Sequence, residues 1–290
     1  MIKYIGVHCN TSGGLEKSVL QANKLNATAF SFFVKNPLRW NTLPLQQSTI
    51  KSFRKFCNKY NYSTLQILPH SSYLINLGHP DKEKKKKSCK TLIEEINFCN
   101  LLGLVMINIH PGSSLKKITE KKCLENISNS INYILKKTNN IIIVLENTSG
   151  QGGNMGYCFE HLAFIINKVR NKSRIGVCLD TCHLFASGYQ LNNKNSFLNI
   201  FYRFHELIGL KYLRGIHLND SKGKFNSKLD RHENLGYGNI KTSVFSKIVR
   251  VIEFNNIPII LETKDASIWK KEIQWLKKQS LLPKISILNF

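Results

Sequence analysis

The sequence predicts an α/β protein built on a covered parallel sheet, and three observations carry that expectation. Short runs rich in Ile, Val and Phe recur along the chain without polar alternation, as strands buried on both faces require. Amphipathic stretches of helical period separate them. No Gly-, Ser- or Pro-rich tract divides the 290 residues, so one domain spanning 1–290 is expected.

In chain order the strand-like runs are Ile2–His8, Ala27–Val34, Thr64–His70, Val105–His110, Ile141–Glu146, Arg174–Asp180, Leu213–Leu218 and Ile257–Glu262. The helix-like stretches between them include Leu15–Leu25, Glu94–Leu102, Cys123–Lys137, Tyr157–Arg170 and Ile240–Phe254. Eight strands in regular alternation with helices imply a sheet closed on itself, a single (β/α)8 or TIM barrel. An open doubly wound sheet usually has fewer units. Asn192–Ser196 and Ser221–Lys228 read as insertions between barrel units. The run Lys84–Lys87 reads as an exposed helix start before it reads as a binding patch.

Composition narrows the class. A hydrophobic content of 42% is ordinary for a chain with a sizeable core. No stretch approaches the roughly 20 uncharged apolar residues of a membrane span. The opening MIKYIGVHCN lacks the apolar core and cleavage site of a secretory signal, so a cytoplasmic protein is expected. The eight cysteines are scattered and none forms a C-x-x-C pair, so they read as small buried apolar residues with no disulfide and no metal role. The net charge of +24 fits an anionic partner. It also fits compositional drift, since the chain is rich in Lys, Asn and Ile.

The chemistry lies in how the runs end. His8, His70, His110, Glu146, Asp180, His217 and Glu262 each close a strand, and barrel active sites are built at the C-terminal ends of strands. His183 follows Asp180 by three residues, and Asp230 and His232 alternate in a loop. A lone strand-end histidine is usually a hydrogen-bonding residue; seven strands ending this way are not a packing accident. His79, His161 and His205 fall in loops or helices and carry no such argument. His70, His110, Glu146, Asp180, His183, His217, Asp230, His232 and Glu262 form a set suited to zinc, with manganese as a possible substitute. Nine ligands exceed one site and imply two or three ions.

Other chemistries lack their signatures. No phosphate-binding glycine loop opens a helix after a strand, and no G-x-S-x-G elbow is present. The glycines of Gly150–Gly153 have the wrong spacing and read as a turn beside Glu146.

Specific segments then resemble the endonuclease IV family, the zinc-dependent apurinic/apyrimidinic endonucleases (AP endonuclease family 2). They are His70–Leu77, Asn108–Ser113, Leu145–Gly152, Val177–Leu184, His217–Lys222, Asp230–His232 with Leu235–Gly238, and Leu261–Thr263. They occur in the family's order over nearly the whole chain. The resemblance implies three zinc ions: one on His70, His110 and Glu146, one on Glu146, Asp180, His217 and Glu262, one on His183, Asp230 and His232. It implies hydrolysis of the phosphodiester 5′ to an abasic site in double-stranded DNA by a metal-bridged hydroxide, with Glu146 spanning two ions. A 3′-hydroxyl and a 5′-deoxyribose phosphate would result, and blocked 3′ ends would be trimmed. It further implies a monomer, with Tyr73 near the lesion and Arg39, Lys222 and Arg231 as plausible DNA contacts.

The chain departs from the family pattern at three places. Arg39 directly precedes Trp40, whereas the family's arginine often stands two positions before it, at Leu38 here. The residues between His8 and Gly13 are altered, and Asn226 stands where a glycine is usual. None removes a ligand. Of two rivals, a divalent-metal sugar isomerase would not need the third ligand group or the basic charge. A non-catalytic DNA-binding protein would be expected to have lost ligands.

Overall fold

The computed structural model describes residues 3–41 and 43–288, without the side chains of Lys194 and Asn195. Ile2, the start of the first expected strand, therefore lies outside the described residues, as do those two side chains within the expected insertion Asn192–Ser196. Strands β1 (Tyr4–His8), β2 (Ala29–Ser31), β3 (Met106–Ile109), β4 (Ile142–Glu146), β5 (Ile175–Asp180), β6 (Leu213–His217) and β9 (Pro258–Leu261) form one parallel sheet in the order β2-β1-β9-β6-β5-β4-β3. Residues 67–70 lie between its two edges. Isolated parallel bridges join Phe30 to Ile67, Phe33 to His70 and His70 to Asn108. The His70 amide donates to Phe32 O (2.9 Å) and the Asn108 amide to Pro69 O (2.8 Å), so the sheet closes into a TIM barrel.

The expected third strand is thus shorter than Thr64–His70. Thr64–Gln66 is a 3-10 turn, started by Ser63 and Gln66, whose side chains each bond the other's backbone. Elsewhere the strands keep the expected order with trimmed ends. Inside the barrel Leu68, Met106, Val144 and Cys178 pack together, and Leu68 fills the space above Gly215, where a Cβ would come within 2.5 Å of it. Gly6 serves the opposite wall: a Cβ there would stand 1.6 Å from Ala29 O, so only glycine lets β1 lie against β2.

Helices α1 (Glu16–Lys24), α2 (Gln47–Lys59), α3 (Lys82–Leu102), α4 (Glu120–Lys137), α5 (Phe159–Lys168), α6 (Thr181–Ser187), α7 (Lys194–Leu207), α8 (Thr242–Arg250) and α9 (Trp269–Gln279) account for the remaining regular structure apart from short 3-10 turns and the hairpin described below. In α4 the buried Cys123, Leu124, Ile127, Ile131, Ile134 and Leu135 recur at helical spacing. Thr119 caps its start, accepting from the Lys122 amide. Lys84–Lys87 falls in the first turns of α3, which Asp81 caps and Gly103 ends in a left-handed conformation. Strand β7 (Asp220–Ser221) and strand β8 (His232–Glu233) form an antiparallel hairpin that returns the loop between them to the barrel mouth. Among the described residues no helix is long and apolar enough to cross a membrane.

Candidate metal centre

Each strand end delivers its side chain to the same mouth. Glu146 closes β4 and is 1% exposed; its Oε2 accepts from Asn108 Nδ2 (2.5 Å). Around it stand four imidazoles: His70 Nε2 at 3.3 Å, His110 Nε2 at 3.6 Å, and His183 Nδ1 and His217 Nδ1 each at 3.2 Å. Glu262 reaches the other side of His217, Oε2 to Nδ1 at 3.2 Å. Asp180 ends β5 and also caps α6, accepting from the His183 amide (2.8 Å). That dual role explains the three-residue spacing: the cap starts the helix, and its first turn carries His183 back to the mouth. The hairpin brings in Asp230 and His232, with Asp230 Oδ2 3.1 Å from His183 Nε2 and His232 Nε2 3.4 Å from Asp230 Oδ1.

The nine residues sort into three groups whose donor atoms all lie within 4.8 Å of one another: His70, His110 and Glu146; Glu146, Asp180, His217 and Glu262; His183, Asp230 and His232. Glu146 belongs to two of them. A fourth grouping, Asp180, Cys182 and His232, brings in a thiol that the sequence did not suggest. Burial pushes the Cys182 thiol up to about 12, and its sulfur points at Arg231 O (3.6 Å), so it suits a ligand poorly.

Three features fit this constellation to divalent metal. Glu146 Oε1, His183 Nε2, both nitrogens of His217 and His232 Nε2 are buried without a hydrogen-bond partner, a costly state for a donor set with nothing to bind. Three rings spend their other nitrogen on a backbone carbonyl: His70 Nδ1 on Ser71 O (2.7 Å), His183 Nδ1 on Asn147 O (2.8 Å) and His232 Nδ1 on Glu262 O (3.3 Å). That arrangement fixes the tautomer that leaves Nε2 a free lone pair. Burial alone would raise the Glu146 carboxyl; the rings of His217 and His110, with hydrogen bonds from His110 and His183, outweigh it and hold the group well below its ordinary value. Glu262 is likewise held down, against burial, by His217 and His8. Both carboxyls are therefore anions at neutral pH, as ligation requires.

Sequence reading passed over the residues that aim these ligands. Asn219 Nδ2 holds Asp180 Oδ2 (2.6 Å) while its Oδ1 accepts from the Glu262 amide (2.7 Å). Asn147 Oδ1 accepts from the Asp180 amide (2.6 Å), and Gln151 Oε1 accepts from the Asp230 amide (2.9 Å). His8, the seventh strand-end residue, is in none of the three groups; its Nδ1 lies 2.9 Å from Glu262 Oε1 and braces that carboxylate. Each asparagine sits within two residues of a ligand in sequence, which was the available signal. Gly150, Gly152 and Gly153 all have positive φ, so the run does turn the chain beside Glu146. Asn226 also sits at φ 58°, in the left-handed region that a glycine there would favour.

A family model described as a xylose isomerase-like TIM barrel matches residues 19–279. The probable endonuclease 4 of Buchnera aphidicola subsp. Acyrthosiphon pisum (strain Tuc7) is 57% identical over 281 residues, 97% of this chain and 100% of the relative. The chain belongs to the endonuclease IV family. A second family member, the probable endonuclease 4 of Buchnera aphidicola subsp. Baizongia pistaciae, is 52% identical over 275 residues, 95% of this chain and 99% of the relative. The crystal structure of endonuclease IV from Thermus thermophilus superposes with a TM-score of 0.83 at 27% identity, covering 96% of this chain and 98% of that one.

The four side chains expected to meet DNA are more loosely placed than the endonuclease IV ligand set. Tyr73 is 60% exposed, and its ring packs edge-on against Phe33 (centroids 4.9 Å apart), which in turn touches His70 (5.4 Å). Arg39 is exposed on the loop after β2. Lys222 and Arg231 are exposed and face one another across the hairpin, the Lys222 amide donating to Arg231 O (2.9 Å).

Proposed function

We propose that this family member is a DNA-repair endonuclease acting as a single barrel domain. It would hydrolyse the phosphodiester 5′ to abasic sites in duplex DNA and trim blocked 3′ ends, leaving a 3′-hydroxyl and a 5′-deoxyribose phosphate. The observation that carries the reading is the convergence of nine buried or half-buried ligand residues in three overlapping groups on one barrel mouth. His70, His110 and Glu146 would hold one zinc ion, Glu146, Asp180, His217 and Glu262 a second, and His183, Asp230 and His232 a third, with manganese as a substitute. When bound, such ions neutralise charge on phosphoryl oxygens and bring the pKa of water towards neutrality.

The chain's own residues supply the geometry. Glu146 is shared by two groups, so its carboxylate sets their spacing, and Asn108 holds that carboxylate in place. Asn219 fixes Asp180 against Glu262 and keeps the second group rigid. Tyr73, Arg39, Lys222 and Arg231 stand where a backbone entering the mouth would meet them. A nucleotide lacking its base leaves the stack at low cost, which favours the lesion over intact DNA. The eight free cysteines suit the cytoplasm, where we place the protein as a monomer.

The test is incision of a labelled duplex carrying one abasic analogue. Cutting on the 5′ side, lost with chelator and restored by zinc, is the expected result. A fully metal-loaded protein that leaves the duplex intact while isomerising a sugar would replace this reading with the rival one.

A further inference from the structure

Beyond the metal centre lies a buried ion pair with no part in ligation. Lys35, just after β2, and Glu95, in the middle of α3, meet at 3.7 Å with side chains almost wholly buried. Both oxygens of Glu95 accept from the Ser72 amide (3.3 and 3.1 Å), two residues after His70. Lys35 Nζ also donates to Trp40 O (3.1 Å), and Lys87 of α3 lies 4.3 Å above the Trp40 ring. Ser72 Oγ donates to Pro37 O (2.7 Å). The loops after β2 and after residues 67–70 are thereby tied to each other and to one helix.

The tip of this tied structure is Leu38. The Asn36 side chain accepts from the Leu38 amide (3.0 Å), and the Arg39 amide reaches back to Asn36 O (3.3 Å), so a turn holds the residue outward. Leu38 is 72% exposed, and the residue beyond its bonded neighbour Ser72 is the exposed Tyr73. A large apolar side chain presented to water on a rigid loop, beside a rim of basic residues in a chain of net charge +24, suits a polyanion that has an apolar interior. Stacked DNA is such a partner, and leucine is among the side chains that wedge between base steps.

We propose that the loop after β2 is a preformed wedge: Leu38 enters the duplex beside the lesion, and the buried Lys35–Glu95 pair is the positioning device that holds it. This rests on the DNA reading above. Preformation matters because an already ordered loop loses little entropy on binding. Leu38 thus sets preference for a duplex with a weakened stack, and the ligand groups remain free of that task.

The experiment uses the zinc-loaded protein and a duplex with an abasic analogue flanked by a fluorescent aminopurine, whose emission rises on unstacking. Leu38→Ala is expected to raise KM about 10-fold, with most of the loss in kcat/KM carried by KM, and to remove most of the emission rise. Leu38→Met, which restores an apolar wedge, should return both to within about twofold of wild type. Lys35→Met should resemble Leu38→Ala with zinc content unchanged; the Leu38 variants, at an exposed position, test the wedge even if this one fails to fold. A Leu38→Ala protein matching wild type in KM and emission would overturn the wedge and leave the nuclease reading intact, as would Leu38→Met failing like Ala. A wild-type protein that neither cuts nor unstacks the duplex would remove both.

Discussion

At the scale of single residues, the ligands depend on neighbours that never touch metal. Asn219 binds Asp180 through Nδ2 and the Glu262 amide through Oδ1, so Asn219→Ala frees two ligands at once. Metal affinity should fall about 10–100-fold, read by competition with a chelator, while the barrel stays folded. Lys3 offers a separate case. Its ammonium is buried against Val251 O (2.5 Å); burial, with Lys284 nearby and Glu253 opposing, lowers its pKa from 10.5 to about 7. Between those values the unfolded chain binds more protons than the folded one, so this contribution to stability rises with pH. The stability difference between wild type and Lys3→Met should therefore change steadily in the wild type's favour from pH 7 to 10.5, measured by urea unfolding. Taking the difference cancels the buried thiols and Tyr62, whose raised pKa values act in the opposite direction. The nine ligand candidates were legible because His, Asp and Glu are conspicuous at the ends of apolar runs. The asparagines were not, because Asn is abundant in this chain and its role is visible only when the amide is seen to bond a carboxylate.

At the scale of elements, close approach of backbones decides which substitutions the barrel tolerates. A Cβ at Gly6 would overlap Ala29 O, and neither strand can retreat without breaking the ladder that aligns His8 with Ser31. Gly6→Ala should cost about 3 kcal/mol or more, read as a lower denaturant midpoint, with loss of bound metal following as β1 shifts. Strand order and most strand ends were readable from apolar runs. The third was overextended because Thr64–Gln66 is apolar enough to pass as strand, whereas the Ser63–Gln66 capping pair turns it. Helix α2 was not singled out, although Ile50, Phe53 and Cys57 bury at helical spacing. Helix α6 had no independent signal, since it is seven residues long and begins on the ligand Asp180.

At the scale of the whole molecule, the charge and the metal cluster meet in one function. If the +24 charge serves DNA, log affinity for duplex should fall linearly with log salt, with a slope of about −0.9 per phosphate neutralised; a flat dependence would assign the lysines to drift. Sequence alone left that choice open, because charge count carries no position. The central claim, that nine residues on one barrel mouth form a three-ion centre, is tested most directly by an anomalous-scattering map at the zinc edge from crystals of the loaded protein. Three peaks are expected: one among His70, His110 and Glu146, one among Glu146, Asp180, His217 and Glu262, and one among His183, Asp230 and His232. A single peak, or none beside Glu146, would contradict it.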